Sequence, residues 1–297
     1  MGFDFFHPSY FIRNNNLVKS FICSFLAFFF ISCTGGCALF QNEGIMLNSK
    51  RPSIGIISTR TFLRVSVRTS TNTIIIVETS TTPPPPTDWL SLYTSAASGA
   101  VVQHKDKVSF ILTAAHVCTL AYKEQIQSIF PFYEKKTHMA MWSHLVRFHD
   151  IEGKQHRAIP LVWSKLYDVC IMVTPRLEQP ALRLAFRAPY QGEKIYYMGF
   201  PRGIGGGKFI PTFAGYYIGA YEVGERENRG IAAGYSIPIA PGSSGSSVLN
   251  ANGNIVGMLH SYYPRFGNIG LSATHEQLKK LFKNAEKGWK NKKNKSG

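Results

Sequence analysis

The stretch APGSSGSSVLNANGNIVGMLH, residues 240–260, combines a glycine- and serine-rich turn with two short apolar runs joined at Asn-Gly. Gly242 lets the chain turn so that its own N–H and that of Ser244 point to one spot, and Gly245 leaves room for a substrate backbone. The apolar runs are typical of two adjoining strands. Such turns are also common in ordinary loops, so the segment indicates chemistry only if the rest of the chain supplies partners.

Two other apolar segments supply those partners. A serine nucleophile needs an imidazole to take its proton and a carboxylate to orient that imidazole. ILTAAHV (111–117) carries His116 at the end of an apolar strand, and LYDVCIMVT (166–174) carries Asp168 at the start of another. A carboxylate entering a buried strand needs a hydrogen-bond donor, which a histidine Nδ1–H provides. Each residue alone is compatible with a purely structural role, but together they favour a catalytic triad.

Short apolar runs interrupted by Gly, Pro, Asn and Asp extend from about residue 88 to residue 283. Their spacing is typical of an all-β sandwich or barrel. Helical periodicity is weak until HEQLKKLFKNAEK near the C-terminal end. We therefore predict an all-β domain that closes with one short helix.

The segments around the three candidate residues resemble the trypsin-like serine peptidases, most closely the HtrA/Deg type. The resemblance rests on TAAHV, DVCIMV and GSSGS in that order, on SGAVV (98–102) as the first barrel strand, on YYMGFP (196–201), AGYYIGAY (214–221) and NGNIVGMLH, and on IGLSATHEQLKKLF as the closing strand and helix. It covers residues 88–283. It implies a double six-stranded β-barrel with a short C-terminal helix and with the site at the seam, and no PDZ module is expected after it.

The resemblance also implies the residue roles. Ser244 would attack the scissile carbonyl, His116 would act as general base and then general acid, and Asp168 would orient the imidazole. The N–H groups of Gly242 and Ser244 would form the oxyanion hole. The predicted function is a serine endopeptidase acting on protein or peptide substrates, without metal or organic cofactor. The alternative is a catalytically silent protease-like module that binds a peptide or a surface partner.

The turn GSSGS departs from the usual GDSGG or GNSGG of this family. Ser243 replaces an Asp or Asn, and Ser246 replaces a Gly. Loss of the Asp removes the partner that a newly freed N-terminus uses in zymogen activation, so activation by N-terminal clipping is not expected. Ser243 remains a lesser alternative to Ser244 as the nucleophile.

By the same resemblance, the primary substrate pocket would be lined by residues before the oxyanion turn and on the cleft strand. These residues are Pro238, Ile239, Ala240, His260, Ser261 and Tyr262. None is acidic, so cleavage after Lys or Arg is disfavoured and a small or medium apolar side chain is expected. His260 is compatible with a place near the pocket, with a hydrogen bond to Asp168, or with ordinary packing.

Cys118 and Cys170 each lie two residues beyond a candidate catalytic residue. Both a disulfide and two free buried thiols fit this placement. The remaining histidines match no standard zinc spacing, so no metal site is predicted.

Residues 1–40 are predicted to be a signal peptide or membrane anchor. The apolar run FICSFLAFFFISC (21–33) follows Arg13 and Lys19 and precedes small residues, as in an export signal. The uncharged stretch continues to residue 40, so an uncleaved anchor is the alternative. Cys33 resembles a lipobox cysteine, which makes the chain a possible lipoprotein. We expect an exported protein that is periplasmic or attached to the membrane through residues 21–40.

The segment 41–87 is rich in Ser and Thr and ends in ThrThrProProProPro, so it predicts an extended spacer. Within it, IGII (54–57) and TIIIVE (73–78) are each compatible with a short strand, for which the sequence indicates no partner. The chain has 33 Lys+Arg against 17 Asp+Glu, a formal net charge of +16. Much of this excess lies in a basic tail, residues 284–297, and in the helix before it. We interpret the tail as a solvated terminus, with contact to anionic lipid or nucleic acid as the alternative. No Arg stripe interleaved with aromatics occurs elsewhere, so no nucleic-acid partner is expected.

Overall fold

The computed structural model describes residues 43, 45–67, 90–119, 138–204, 209–223, 230–263 and 268–296. The chain divides into two compact units, residues 1–47 and residues 48–297. In the first unit, the described residues are helical. The second unit contains the two barrels described next.

The second unit is built from two closed antiparallel β-barrels of six strands each, which confirms the predicted fold class. The first barrel has strands β1 (Ile54–Val67), β2 (Leu90–Lys105), β3 (Val108–Thr113), β4 (His138–His149), β5 (Gln155–Ser164) and β6 (Val169–Pro175), in the order β1-β2-β3-β6-β5-β4. The second has β7 (Lys194–Met198), β8 (Thr212–Val223), β9 (Gly230–Ser236), β10 (Ser247–Leu249), β11 (Ile255–Tyr262) and β12 (Ile269–Ala273), in the order β10-β11-β12-β9-β8-β7. Helix α1 (Ala115–Cys118) follows β3, helix α2 (His275–Ser296) follows β12, and single 3₁₀ turns span Arg51–Ser53 and Pro201–Gly203.

The burial of each strand follows its place in the barrel. Strands β3 and β6 pair with each other and are buried along nearly their whole length, which explains why their sequences are mostly apolar. Helix α2 packs on β5 and β6, and Trp289 meets Phe110 edge to face at 6.1 Å between ring centroids. Strand β8 has one face toward solvent, so buried and exposed residues intermix along it.

One part of the predicted spacer is a barrel strand. The interpretation of residues 41–87 as an extended linker is wrong for Ile54–Val67, which forms β1 and pairs with both β2 and β4. SGAVV consequently lies in β2 and not in the first strand of the barrel. Ile54 and Ile57 are buried in the core, so the scattered β-branched residues of this segment are strand residues. The proline run at 81–86 lies outside the described residues.

Helix α2 is longer than predicted and takes in most of the supposed basic tail. Thr274 and Gln277 begin it with a capping box: the Thr274 N–H donates to Gln277 Oε1 at 2.8 Å, and the Gln277 N–H donates to Thr274 Oγ1 at 3.3 Å. Ala285 is buried, and the Trp289 indole donates to Asp106 Oδ2 at 3.2 Å. The predicted tail is therefore helical, and it contacts the first barrel through Trp289, whereas Lys290, Asn291 and Lys292 beyond it are exposed.

Among the helices of the described residues, none combines the length and the apolar character that a membrane crossing requires. The predicted signal or anchor at residues 1–40, with Cys33, lies outside the described part of the chain.

Candidate active site

Asp168 holds His116 at two points. His116 lies in α1, directly after the buried Ala114 and Ala115, and Asp168 is the last turn residue before β6, the strand that pairs with β3. Asp168 Oδ1 accepts the His116 backbone N–H at 2.8 Å, and Asp168 Oδ2 accepts the ring Nδ1–H at 2.6 Å. Asp168 adopts a left-handed conformation with φ of 50°, which Asp tolerates better than most residues. This arrangement fixes the tautomer and the plane of the imidazole and leaves Nε2 available to a hydroxyl.

A disulfide joins Cys118 to Cys170 and ties the two halves of this pair together. Cys118 ends α1, and Cys170 lies in β6 two residues beyond Asp168. The sequence was compatible with a disulfide or with two free thiols, and the structure contains the disulfide. Because the bond crosslinks the segments that carry His116 and Asp168, it helps to keep the distance between these two residues constant.

Ser244 lies in the predicted turn between β9 and β10. Gly242 and Gly245 have φ of 96° and 87°, a region that favours glycine. At either position a Cβ would collide with backbone oxygen, that of Phe200 and that of Ser98 respectively. The Ser244 hydroxyl donates to the His260 carbonyl at 3.5 Å. No hydrogen bond within the described residues joins it to His116, and such bonds often tighten only when substrate binds.

The amides of Gly242 and Ser244 are available to a ligand. Neighbouring amides are used within the protein: the Ser243 N–H donates to Ala240 O at 2.9 Å, and the Gly245 N–H donates to Leu259 O at 2.7 Å. Over the part of the chain that the structure describes, neither the Gly242 N–H nor the Ser244 N–H has a protein acceptor. Such an arrangement suits a developing oxyanion.

Ser98 holds this turn from the other barrel, a role that the sequence analysis missed. Its side chain is fully buried; the hydroxyl donates to Gly242 O at 2.8 Å and accepts the Phe200 N–H at 3.0 Å. Its backbone N–H donates to Ser244 O at 2.8 Å. The only sequence signal was a hydroxyl inside an otherwise small and apolar strand segment, SGAVV.

The predicted pocket residues lie on both sides of the turn. Ile239 packs against the core of the second barrel, Ala240 begins the turn, and Tyr262 is 50% exposed on β11. His260 is half-buried, and its Nδ1 hydrogen-bonds Ser261 Oγ at 2.8 Å. Of the three interpretations of its ring, a hydrogen bond to Asp168 is not what the structure has.

The charges of Asp168 and His116 nevertheless affect the pKa of His260. Burial lowers the pKa of His260, the Asp168 carboxylate opposes that change, and His116 adds to it. Within the described residues, no group of three or more His, Cys, Asp or Glu side chains could hold a metal ion.

Comparison with known proteins gives one family and one fold. The sequence profile of the trypsin-like peptidase domain matches residues 97–258. The structure is similar to the active form of the Rv3671c protease from M. tuberculosis, with a TM-score of 0.53, 15% identity, and coverage of 80% of this chain and 82% of that one. The inactive form of the same protease matches with a TM-score of 0.51 and 14% identity, over 81% of this chain and 92% of that one. The serine endoprotease from Yersinia pestis matches with a TM-score of 0.50 and 14% identity, over 82% of this chain and 66% of that one. No curated protein matches the sequence. At these identities the structural likeness shows the fold.

Proposed function

Because the chain belongs to the trypsin-like peptidase family, we propose that it is a serine endopeptidase that forms an acyl-enzyme on Ser244. The observation that carries this proposal is the double grip of Asp168 on His116, at 2.8 Å and 2.6 Å. A carboxylate that accepts both the backbone N–H and the ring Nδ1–H of one histidine orients that ring and leaves its Nε2 free for a proton transfer. The available amides of Gly242 and Ser244 supply the second requirement of acyl transfer.

The geometry supports the following sequence of steps. His116 Nε2 takes the Ser244 hydroxyl proton while Oγ bonds to the scissile carbonyl carbon, and Asp168 stabilises the imidazolium. The carbonyl oxygen becomes an oxyanion that accepts from the Gly242 and Ser244 N–H groups. The imidazolium then gives its proton to the leaving amine, the C–N bond breaks, and an acyl-enzyme remains. Water, activated by the same imidazole, hydrolyses the ester and restores Ser244.

Ser243 is a poor candidate for the nucleophile. Its side chain is 1% exposed, and its Oγ accepts the Ala240 N–H at 3.3 Å inside the turn. Ser244 is half-buried and bonds only weakly to the His260 carbonyl. The difference in access supports Ser244.

For specificity, we propose a small or medium apolar side chain at the cleavage site. Ile239 and Ala240 supply apolar surface, and neither they nor His260, Ser261 and Tyr262 is acidic. A peptide-library cleavage profile tests this preference. Dominant cleavage after Lys or Arg would contradict it.

For location, we propose export with membrane attachment through residues 21–40, with Cys33 as the lipidated residue. The apolar run and its basic flank support this, as does the exposed lysine face of α2, which includes Lys279, Lys283, Lys287 and Lys290. Deletion of residues 1–40 should release the activity into the soluble fraction. Persistent membrane association would contradict attachment by that segment.

A fluorophosphonate probe tests the function directly, since an activated serine displaces its fluoride and forms a P–O bond. Ser244→Ala should abolish labelling of the full chain. Ser246→Ala is the matched control, because this buried hydroxyl lacks a hydrogen-bond partner among the described residues and its removal should leave labelling unchanged. A folded wild-type protein that takes no label and cleaves no peptide would support the silent binding module instead.

A further inference from the structure

Tyr197 connects the core of the second barrel to the segment that carries the two available amides. It lies on β7, fully buried, with its ring stacked on Phe213 of β8 at 4.7 Å between centroids and 14° between planes. A phenol buried this deeply requires a hydrogen-bond partner. Its hydroxyl finds one outside the core, since it donates to the Pro238 carbonyl at 2.8 Å.

The same phenol also meets the other end of that segment. Burial raises the pKa of Tyr197 to about 12, and a hydrogen bond from Ser243 limits the rise. Ser243 in turn closes the turn on itself: its Oγ accepts the Ala240 N–H at 3.3 Å, and its own N–H donates to Ala240 O at 2.9 Å. Tyr197 thus holds residue 238 directly, and the Ser243–Ala240 hydrogen bonds close the segment that leads from there into Ser244.

All of these groups are neutral, so this end of the turn is held without an ion pair. The Ser243 side chain is 1% exposed and neutral. Unlike the Asp that usually stands here in the resembling family, it needs no ammonium group of a freed N-terminus as its partner. Ser98 donates to Gly242 O and Ser244 O, and Tyr197 donates to Pro238 O. Together the two hydroxyl-bearing residues define where the Gly242 and Ser244 amides point.

We propose that Tyr197 is a positioning residue for the peptidase reaction, holding segment 238–243 so that the Gly242 and Ser244 amides are already aligned in the free protein. This inference rests on the proposed function. It also assigns to a core tyrosine part of the alignment of the two amide donors, which Ser244, His116 and Asp168 do not provide themselves.

The test is Tyr197→Phe in the full chain, with steady-state kinetics on a cleavable peptide. Removal of one oxyanion donor costs roughly 10²–10³-fold in kcat, and misalignment of donors should cost less, about 10- to 100-fold, with KM changed less than about threefold. The acidic limb of the pH profile of kcat/KM should not move, because His116 and Asp168 are untouched. A purely structural role would lower the unfolding temperature and leave kcat as it was.

Tyr235→Phe is the matched control. Tyr235 is equally buried in the same barrel core, and its hydroxyl donates to a backbone carbonyl, that of Val256, at 3.4 Å. It should lose stability but keep kcat within about twofold, since a bond remote from the turn positions no donor. An equal fall of kcat in both variants, or an unchanged kcat in Tyr197→Phe, would overturn the inference.

Ser243→Ala serves if the tyrosine variant does not fold. It removes the other hydroxyl of the network without changing the core, and kcat should fall in the same direction. A normal kcat in that variant would count against the inference. Failure of the proposed function is distinguishable from these outcomes, because the wild-type protein itself would then show neither turnover nor fluorophosphonate labelling. In that case both the proposed function and this inference would be wrong.

Discussion

The Ser246 hydroxyl occupies space that is open because residue 199 is glycine. A Cβ on Gly199 would lie closer than 3.0 Å to Ser246 Oγ and also to the Ser98 hydroxyl. Ser246 stands where the resembling family usually has glycine, and the missing side chain is instead at position 199, just after β7. The two positions therefore share one small volume beneath the candidate nucleophile turn.

Gly199→Ala should destabilise the protein by about 1–3 kcal/mol, because it overpacks this buried site. Adding Ser246→Gly removes Ser246 Oγ and Cβ but leaves the Ser98 hydroxyl, so the double variant should recover part of the loss. Urea unfolding of the wild type, both single variants and the double variant gives the coupling energy. Additive effects of the two substitutions would show that the residues do not share the space.

Asp168→Asn should lower kcat/KM by about 10³–10⁴-fold with the fold intact, because an amide cannot accept at both of the positions that His116 uses. Asp150→Asn is the matched control. Asp150 is likewise a carboxylate bonded to a histidine, with Asp150 Oδ2 and His156 Nε2 2.7 Å apart, but it is more deeply buried than Asp168 and belongs to the β4–β5 connection. It should lose stability and keep kcat/KM. Equal losses of activity in the two variants would contradict the assigned role of Asp168.

The geometry of the candidate site could be predicted because each of its motifs is local. His116 follows its own buried strand, Asp168 directly precedes another, and the glycines around Ser244 are adjacent to it in sequence. The all-β class followed from the spacing of short apolar runs, and the two six-stranded barrels followed from the family resemblance. Both depend on patterns within about ten residues.

The elements that were missed depend on distant partners. Strand β1 is scattered in composition, and its partner β4 begins more than 70 residues later, beyond the proline run. The Ser98 bond to Gly242 spans 144 residues. The full length of α2 depends on its contact with the first barrel, whereas its composition is that of a solvated tail. Local sequence carries no record of these contacts.

The disulfide Cys118–Cys170 should contribute about 4 kcal/mol to the free energy of unfolding, given its sequence separation of 52 residues and the loop-entropy relation. The double variant Cys118→Ser, Cys170→Ser should unfold at lower urea concentration by that amount. Wild-type protein in excess reductant should match it, which makes reduction the control. An unfolding midpoint that does not respond to reductant would show that the bond does not stabilise the fold.

The last prediction concerns pH and His260. Burial chiefly lowers the pKa of its imidazole below 6.5, with Asp168 opposing and His116 adding to the change. The unfolded chain therefore binds this proton more readily than the folded one, so stability rises with pH across the interval between the two pKa values. The contribution is complete above about pH 6.5 and is lost as the pH falls through the folded-state value.

His260→Gln removes this titration but keeps a polar side chain of similar length. The free energy of unfolding of the wild type minus that of the variant should therefore decrease when urea unfolding is repeated from about pH 7.5 down to about pH 5. Loss of the Ser261 hydrogen bond in the variant shifts this difference by the same amount at every pH. A difference that stays constant over this range would mean that His260 does not change its protonation preference on folding.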